Sequence, residues 1–231
     1  MLKRSVVTHV LEAALETGAD FAELYVEQTK QNRLVMVNQA IETAASGLDY
    51  GAGIRLFFGN RVIYAFSNDT SEAQLVRLAK DMAATIKGSR LSRIQPFYDP
   101  APYPLHTIVQ MPDTIAKKQK AERLAAASAA AFAYDTRISQ TRATFIDITK
   151  QVLIVNTEGV WAEDERVRSR FTIEAVASSA TEKQSGYLGP GGSVGFELFS
   201  KINAEAEARE AARIAVTMLG AKPCPAGRMP V

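Results

Sequence analysis

One ordering of hydrophobic periods occurs twice in this chain, and it constrains the fold more than any other feature. Near the start, Val6, Val7, Val10, Leu11, Ala14 and Leu15 recur at helical spacing, with Gly18 beyond them, so they can share one buried helix face. From about residue 20 to 67 the pattern turns extended, and Leu75, Leu78, Ala79, Met82 and Ile86 then restore the helical period before Gly88. The second round starts after Pro112 with an Ala-rich helix to about Tyr134 and continues as strands from about Gln140 to Gly189. It closes on a helix from about Asn203 to Leu219, with Ala208, Ala211, Ala212, Ala215, Met218 and Leu219 on one face and Gly220 past its end. Strands grouped between helices, without strict strand and helix alternation, predict an α+β fold rather than a doubly wound parallel sheet. The expected architecture is two related modules, each a helix, an antiparallel meander and a helix.

Turn chemistry punctuates both rounds. Gly59-Asn60 separates Ile54-Arg55-Leu56-Phe57-Phe58 from Arg61-Val62-Ile63-Tyr64-Ala65-Phe66, the spacing of a two-residue hairpin loop. Asn156-Thr157-Glu158-Gly159 occupies in the second round the place that Asn38-Gln39-Ala40 has in the first, and residues 145–151 echo residues 25–31. Ser71 with Gln74 predicts a capping box, and Asp113 is the expected N-cap of the Ala-rich helix. Pro96, Pro100, Pro102 and Pro104 deny the intervening segment a regular helix and make it an extended connector. The expected organisation is a first module over 1–90, a connector over 91–111, a second module over 112–220, and a junction over 221–231. Pro230-Val231, after a Pro/Gly turn, reads as the start of a further strand leading to another domain.

With 47% hydrophobic residues among 231, the chain can bury a sizeable core. It has no run of about 18 apolar residues and no charged-then-apolar leader, so a soluble cytoplasmic protein without a membrane partner is expected. Cys224 is the single cysteine, which rules out an intrachain disulfide or a cysteine metal cage. A net charge of +2, from 27 basic and 25 acidic residues spread along the chain, disfavours direct nucleic-acid binding. The densest basic run, Lys117-Lys118-Gln119-Lys120, reads as a solvated helix face.

Several segments together carry a family resemblance: Gly18-Ala19-Asp20-Phe21-Ala22-Glu23-Leu24-Tyr25, Tyr50-Gly51-Ala52-Gly53-Ile54-Arg55-Leu56, residues 64–69 (YAFSND) and residues 211–231 ending LGAKPCPAGRMPV. Over nearly its whole length the chain resembles the TldD/PmbA family of bacterial zinc-dependent peptidases, also called modulators of DNA gyrase, and its last segment is similar to the TldD branch. The resemblance implies that zinc is held by a His-Glu pair followed three residues later by a second His, in a C-terminal catalytic domain that these residues do not contain. It also implies peptide substrates, and a homodimer or a heterodimer with a PmbA-like subunit. The chain is then expected to be the non-catalytic part, shaping the peptide cleft and the dimer interface, and to be inactive alone. The alternative is a stand-alone interaction module, partner of a PmbA-like subunit or of DNA gyrase.

The residues themselves offer no catalytic set and no metal site. His9 and His106 are the only histidines, and neither has the helical His/Glu partner that a zinc site needs, so both read as surface residues. Glu163-Asp164-Glu165-Arg166 lies on a strand, where neighbouring side chains face opposite ways and cannot converge on one atom. Trp161, Tyr64, Phe66 and Phe171 read as sheet-face packing. Gly189-Pro190-Gly191-Gly192-Ser193-Val194-Gly195 lacks the register and the lysine of a phosphate loop. Because TldD-like proteins carry a glycine-rich stretch here, Gly189, Gly191, Gly192 and Gly195 are the candidate peptide-cleft loop, accepting a peptide by strand addition.

Overall fold

The computed structural model describes residues 1–90, 92–100, 106–222, 224, 226–228 and 230. Pro102 and Pro104 of the expected connector, and Val231 of the expected further strand, lie outside the described residues. In chain order the elements are α1 (Arg4–Leu15), β1 (Phe21–Val37), β2 (Ala40–Phe58), β3 (Arg61–Ser67), α2 (Glu72–Ala83), α3 (Lys117–Phe132), β4 (Ile138–Asn156), β5 (Trp161–Ser178), β6 (Lys183–Leu188), β7 (Gly191–Gly192), α4 (Leu198–Lys201) and α5 (Ala204–Leu219). Strand order in the sheet is β3-β2-β1-β4-β5-β6, with β7 also on β5. The pairs β2–β3, β5–β6 and β5–β7 are antiparallel. The fold is α+β, two three-stranded meanders with their helices.

The chain forms two compact units, and they interleave. One comprises residues 1–31, 47–105 and 148–166; the other comprises residues 32–46, 106–147 and 167–231. Sequence boundaries at 90 and 112 assign whole strands to one module, whereas β1, β2, β4 and β5 each give a stretch to both units. Length is the reason. These strands run 17, 19, 19 and 18 residues, about 55–65 Å at ~3.3 Å per residue. A helix of 12 or 16 residues covers only about 18–24 Å of that.

In the first unit α1 and α2 pack on each other and on one face of the strands. Val7, Val10, Leu11 and Leu15 meet Leu75 and Ala79 over Leu24, Val26, Ile54, Leu56, Leu153 and Val155. The hairpin at Gly59-Asn60 forms as expected: Phe58 pairs with Arg61, and Gly59 takes the left-handed φ of 54° that such a turn demands. The capping box does not form. Ser71 makes no side-chain cap bond; its N–H donates instead to Asp69 Oδ1 at 2.9 Å, so the turn before α2 takes the groups that a box would use.

In the second unit the Ala-rich helices α3 and α5 pack on each other over Phe145, Phe171 and Ile173. Small side chains let α5 sit so close to β6 that a Cβ on Gly186 would overlap the Ala211 carbonyl and lie 2.8 Å from the Ala215 nitrogen. Asn203 caps α5, its side chain accepting from the Ala206 N–H at 2.9 Å. Asp113 does not cap α3. It lies in a single 3₁₀ turn, Pro112–Thr114, and α3 begins at Lys117 behind Ala116.

The basic run also divides. Lys117 and Lys118 are exposed, but Lys120 is buried, with Nζ 2.7 Å from Asp147 Oδ2 and 5.4 Å from the centre of the Phe145 ring. Asn32 Nδ2 donates to the other Asp147 oxygen at 2.7 Å, so both carboxylate oxygens are satisfied.

Candidate functional site

On the first unit's strands, residues alternate between the helix-covered face and its opposite. Leu24, Val26, Ala52, Ile54 and Leu56 face the core, which turns Tyr25, Glu27, Gly51, Gly53, Tyr64 and Phe66 to the other side. There they line a groove of about 340 Å³, with Asp49, Ser67 and Asn68 also in its lining. Gly51 and Gly53 form its floor on β2. Tyr25 and Glu27 of β1 make one wall, and Tyr64 and Phe66 of β3 the other. The Tyr64 ring leans over Gly53, its hydroxyl oxygen 2.9 Å from where a Cβ would stand. Tyr64 and Phe66 stack with ring centres 6.4 Å apart.

The electrostatics of the β1 wall are settled by its own hydrogen bonds. Burial would raise the Glu27 carboxyl, but bonds donated by Lys150, Tyr25 and Thr29 bring it down to about 2. Their distances are 2.9, 2.5 and 2.7 Å. Burial, then the bond to that carboxylate, pushes the Tyr25 phenol up to about 12. The Glu27 carboxylate is therefore held ionised by its donors.

The aromatic residues read as sheet-face packing separate into two groups. Trp161 and Phe171 are buried as expected, whereas Tyr64 and Phe66 are 60% and 71% exposed on β3, because α1 and α2 pack on the other face of these strands. The charged run on β5 is locally paired: Glu163 accepts from Trp161 Nε1 at 3.0 Å, and Arg166 meets Asp164 at 2.5 Å.

The candidate glycine loop belongs to the second unit and is tied down. Gly191 and Gly192 form β7, opposite Arg170 and Ser169 of β5, and continue the line of β6 at the end of the strand order. A Cβ on Gly191 would stand 2.8 Å from the Ser169 carbonyl oxygen, and one on Gly189 2.8 Å from the Tyr187 hydroxyl. Gly192 faces open space. Gly195 lies against the Gln110 carbonyl and donates its N–H to Glu197 at 2.9 Å. Burial would raise Glu197, but N–H groups of Gly195, Gln110 and Val109 hold it below the usual carboxylate range. The loop is therefore held in place by main-chain pairing with β5 and by close backbone contacts.

Two family models match this chain: the PmbA/TldA metallopeptidase domain 1 over residues 22–86, and the central domain of the same metallopeptidases over residues 111–219. The chain belongs to the PmbA/TldD family. A metalloprotease TldD homolog of Haemophilus influenzae is 26% identical over all of this chain and 49% of its own length. A candidate modulator of DNA gyrase from Bacteroides thetaiotaomicron superposes with a TM-score of 0.78 at 13% identity, over 97% of this chain and 52% of its own. TldE from Thermococcus kodakarensis gives 0.63 at 13% identity, over 90% and 46%. The chain spans about half the length of the curated relatives it matches.

The name metalloprotease on PmbA/TldD relatives implies a metal. Among the described residues, no three His, Cys, Asp or Glu side chains come together to hold one. His9 lies 2.5 Å from Glu72 across α1 and α2, and His106 and Cys224 are exposed in separate segments. No catalytic step is assigned to these residues. Among the described residues no helix is long and apolar enough to cross a membrane.

Proposed function

We propose that this chain is the peptide-handling, non-catalytic part of a TldD-like zinc metallopeptidase that processes unstructured peptides. The observation that carries the reading is the pair of matches to domain 1 and the central domain. Two exposed features of the fold support it: the edge continued by Gly191 and Gly192, and the aromatic groove beside β3. Both suit an extended chain, which can add to a strand edge through its backbone and seat alternate side chains. Zinc, the general base and the cleavage itself are assigned to residues outside this chain, and the chain to the cleft and to a dimer contact, with itself or with a PmbA-like subunit. A cytoplasmic setting and the absence of direct nucleic-acid contact belong to the same reading.

A second reading, a stand-alone assembly module acting on a PmbA-like subunit or DNA gyrase, draws on the exposed Val62, Tyr64 and Phe66 of β3. The dialysed chain, incubated with an unstructured peptide, is expected to bind it, release no fragments and retain less than one zinc per chain. Cleavage accompanied by stoichiometric zinc, or failure to bind any peptide, overturns the first reading.

A further inference from the structure

We propose that the groove over Gly51 and Gly53 receives a basic side chain, arginine or lysine, from an extended peptide; the inference rests on the peptide-handling reading and specifies what one site of it selects. Charge complementarity names the occupant. The lining holds the rings of Tyr25, Tyr64 and Phe66 and two carboxylates, Glu27 and Asp49, and includes no lysine or arginine; the cations beside it, Lys150 and Arg166, act on Glu27 and Tyr25 at the β1 wall. Glu27 is already engaged by Lys150, Tyr25 and Thr29. Asp49, exposed in the same lining, has no hydrogen-bond or ion-pair partner among the described residues.

The geometry suits a cation on a slender stem. Gly51 leaves the floor without a side chain between the β1 and β3 walls, and the missing side chain of Gly53 lets the Tyr64 ring lie across β2. Tyr64 and Phe66 stack at an interplanar angle of 28° and are largely exposed. An ammonium or guanidinium is attracted to such ring faces within about 6 Å of their centres, and its aliphatic stem can lie along them while the head reaches the Asp49 carboxylate. An uncharged apolar side chain would gain the rings but leave that carboxylate unmatched. β3 ends the strand order, so a peptide laid beside it presents every second side chain to the same face as Tyr64 and Phe66.

Titration calorimetry of the full 231-residue chain with the peptide acetyl-Ala-Ala-Arg-Ala-Ala-amide, against the same peptide with citrulline for arginine, tests the assignment. Citrulline keeps the shape and loses the charge. It is expected to bind about tenfold more weakly, as is the arginine peptide to Tyr64→Ala and Phe66→Ala, whose exposed side chains can be removed without opening a core. Asp49→Asn is expected to weaken the arginine peptide and leave the citrulline peptide unchanged. Equal affinity for the two peptides overturns the cation site while leaving the peptide-handling reading intact, and binding of neither overturns both. Agmatine binding as tightly as the peptide overturns assignment to a peptide side chain. Self-association abolished by Phe66→Ala, without arginine selectivity, assigns the groove to a second copy and overturns the proposal.

Discussion

Replacing Lys120 by methionine removes the cation paired with a carboxylate that has almost no water. The two side chains are 7% and 2% exposed, and after the substitution Asp147 keeps only the bond from Asn32. Breaking a buried pair from one side costs about 3–5 kcal/mol, because the remaining charge is left desolvated. For a chain of this size that lowers the melting temperature by on the order of 10 °C. Replacing both partners, Lys120→Met with Asp147→Leu, removes the stranded charge and leaves the Asn32 amide short of one acceptor, a residual cost of about 1–3 kcal/mol. Thermal unfolding followed by far-ultraviolet circular dichroism reads both variants, and hydrogen exchange in α3 localises the effect. The reasoning fails if Lys120→Met is within about 1 kcal/mol of the parent, or if the double variant is less stable than the single one.

Gly186→Ala is expected to cost about 2 kcal/mol or more, since its Cβ would overlap the Ala211 carbonyl, while Gly192→Ala, whose Cβ meets nothing within 4 Å, leaves the denaturation midpoint in place; equal responses contradict the packing described. In a phenolate absorbance titration one tyrosine is expected to ionise near pH 12 and to be missing in Tyr25→Phe. The folded phenol has the higher pKa, so its contribution to stability is complete below the ordinary tyrosine value and lost as pH rises through about 12. For Glu27 the sign reverses: its contribution is complete above the ordinary carboxylate value and lost as pH falls through about 2, and Glu27→Gln should flatten the acid limb of the stability curve.

Much of the local structure was legible in the residues, because it depends on near neighbours. Val7, Val10, Leu11 and Leu15 make the α1 stripe in any context that offers an apolar partner, and the core takes them. Gly59-Asn60 sits at the turn its φ demands, and the alanine stripe of α5 is buried over Ala204–Leu219. Other local signals lost to competing bonds: Ser71 gives its N–H to Asp69, and Asp113 takes part in a separate 3₁₀ turn. The groove left a trace that a period-two reading could have used, since Tyr25 with Glu27, Gly51 with Gly53, and Tyr64 with Phe66 each stand two apart. Nothing in one strand, however, says that glycines on β2 will lie between aromatics of β1 and β3.

By itself, then, the sequence determined the helices, the hairpin turns, the α+β class and the family, each of which rests on short-range periodicity or on ordered motifs. Tertiary structure alone decided which residues of unlike segments meet. It buried Lys120 beneath α3, where Asp147 and Asn32 arrive from strands distant in the chain. It left Tyr64 and Phe66 uncovered, because both helices of that unit pack on the opposite face. It also gave stretches of β1, β2, β4 and β5 to both units, since strands of 17–19 residues outrun any one helix that could bury them.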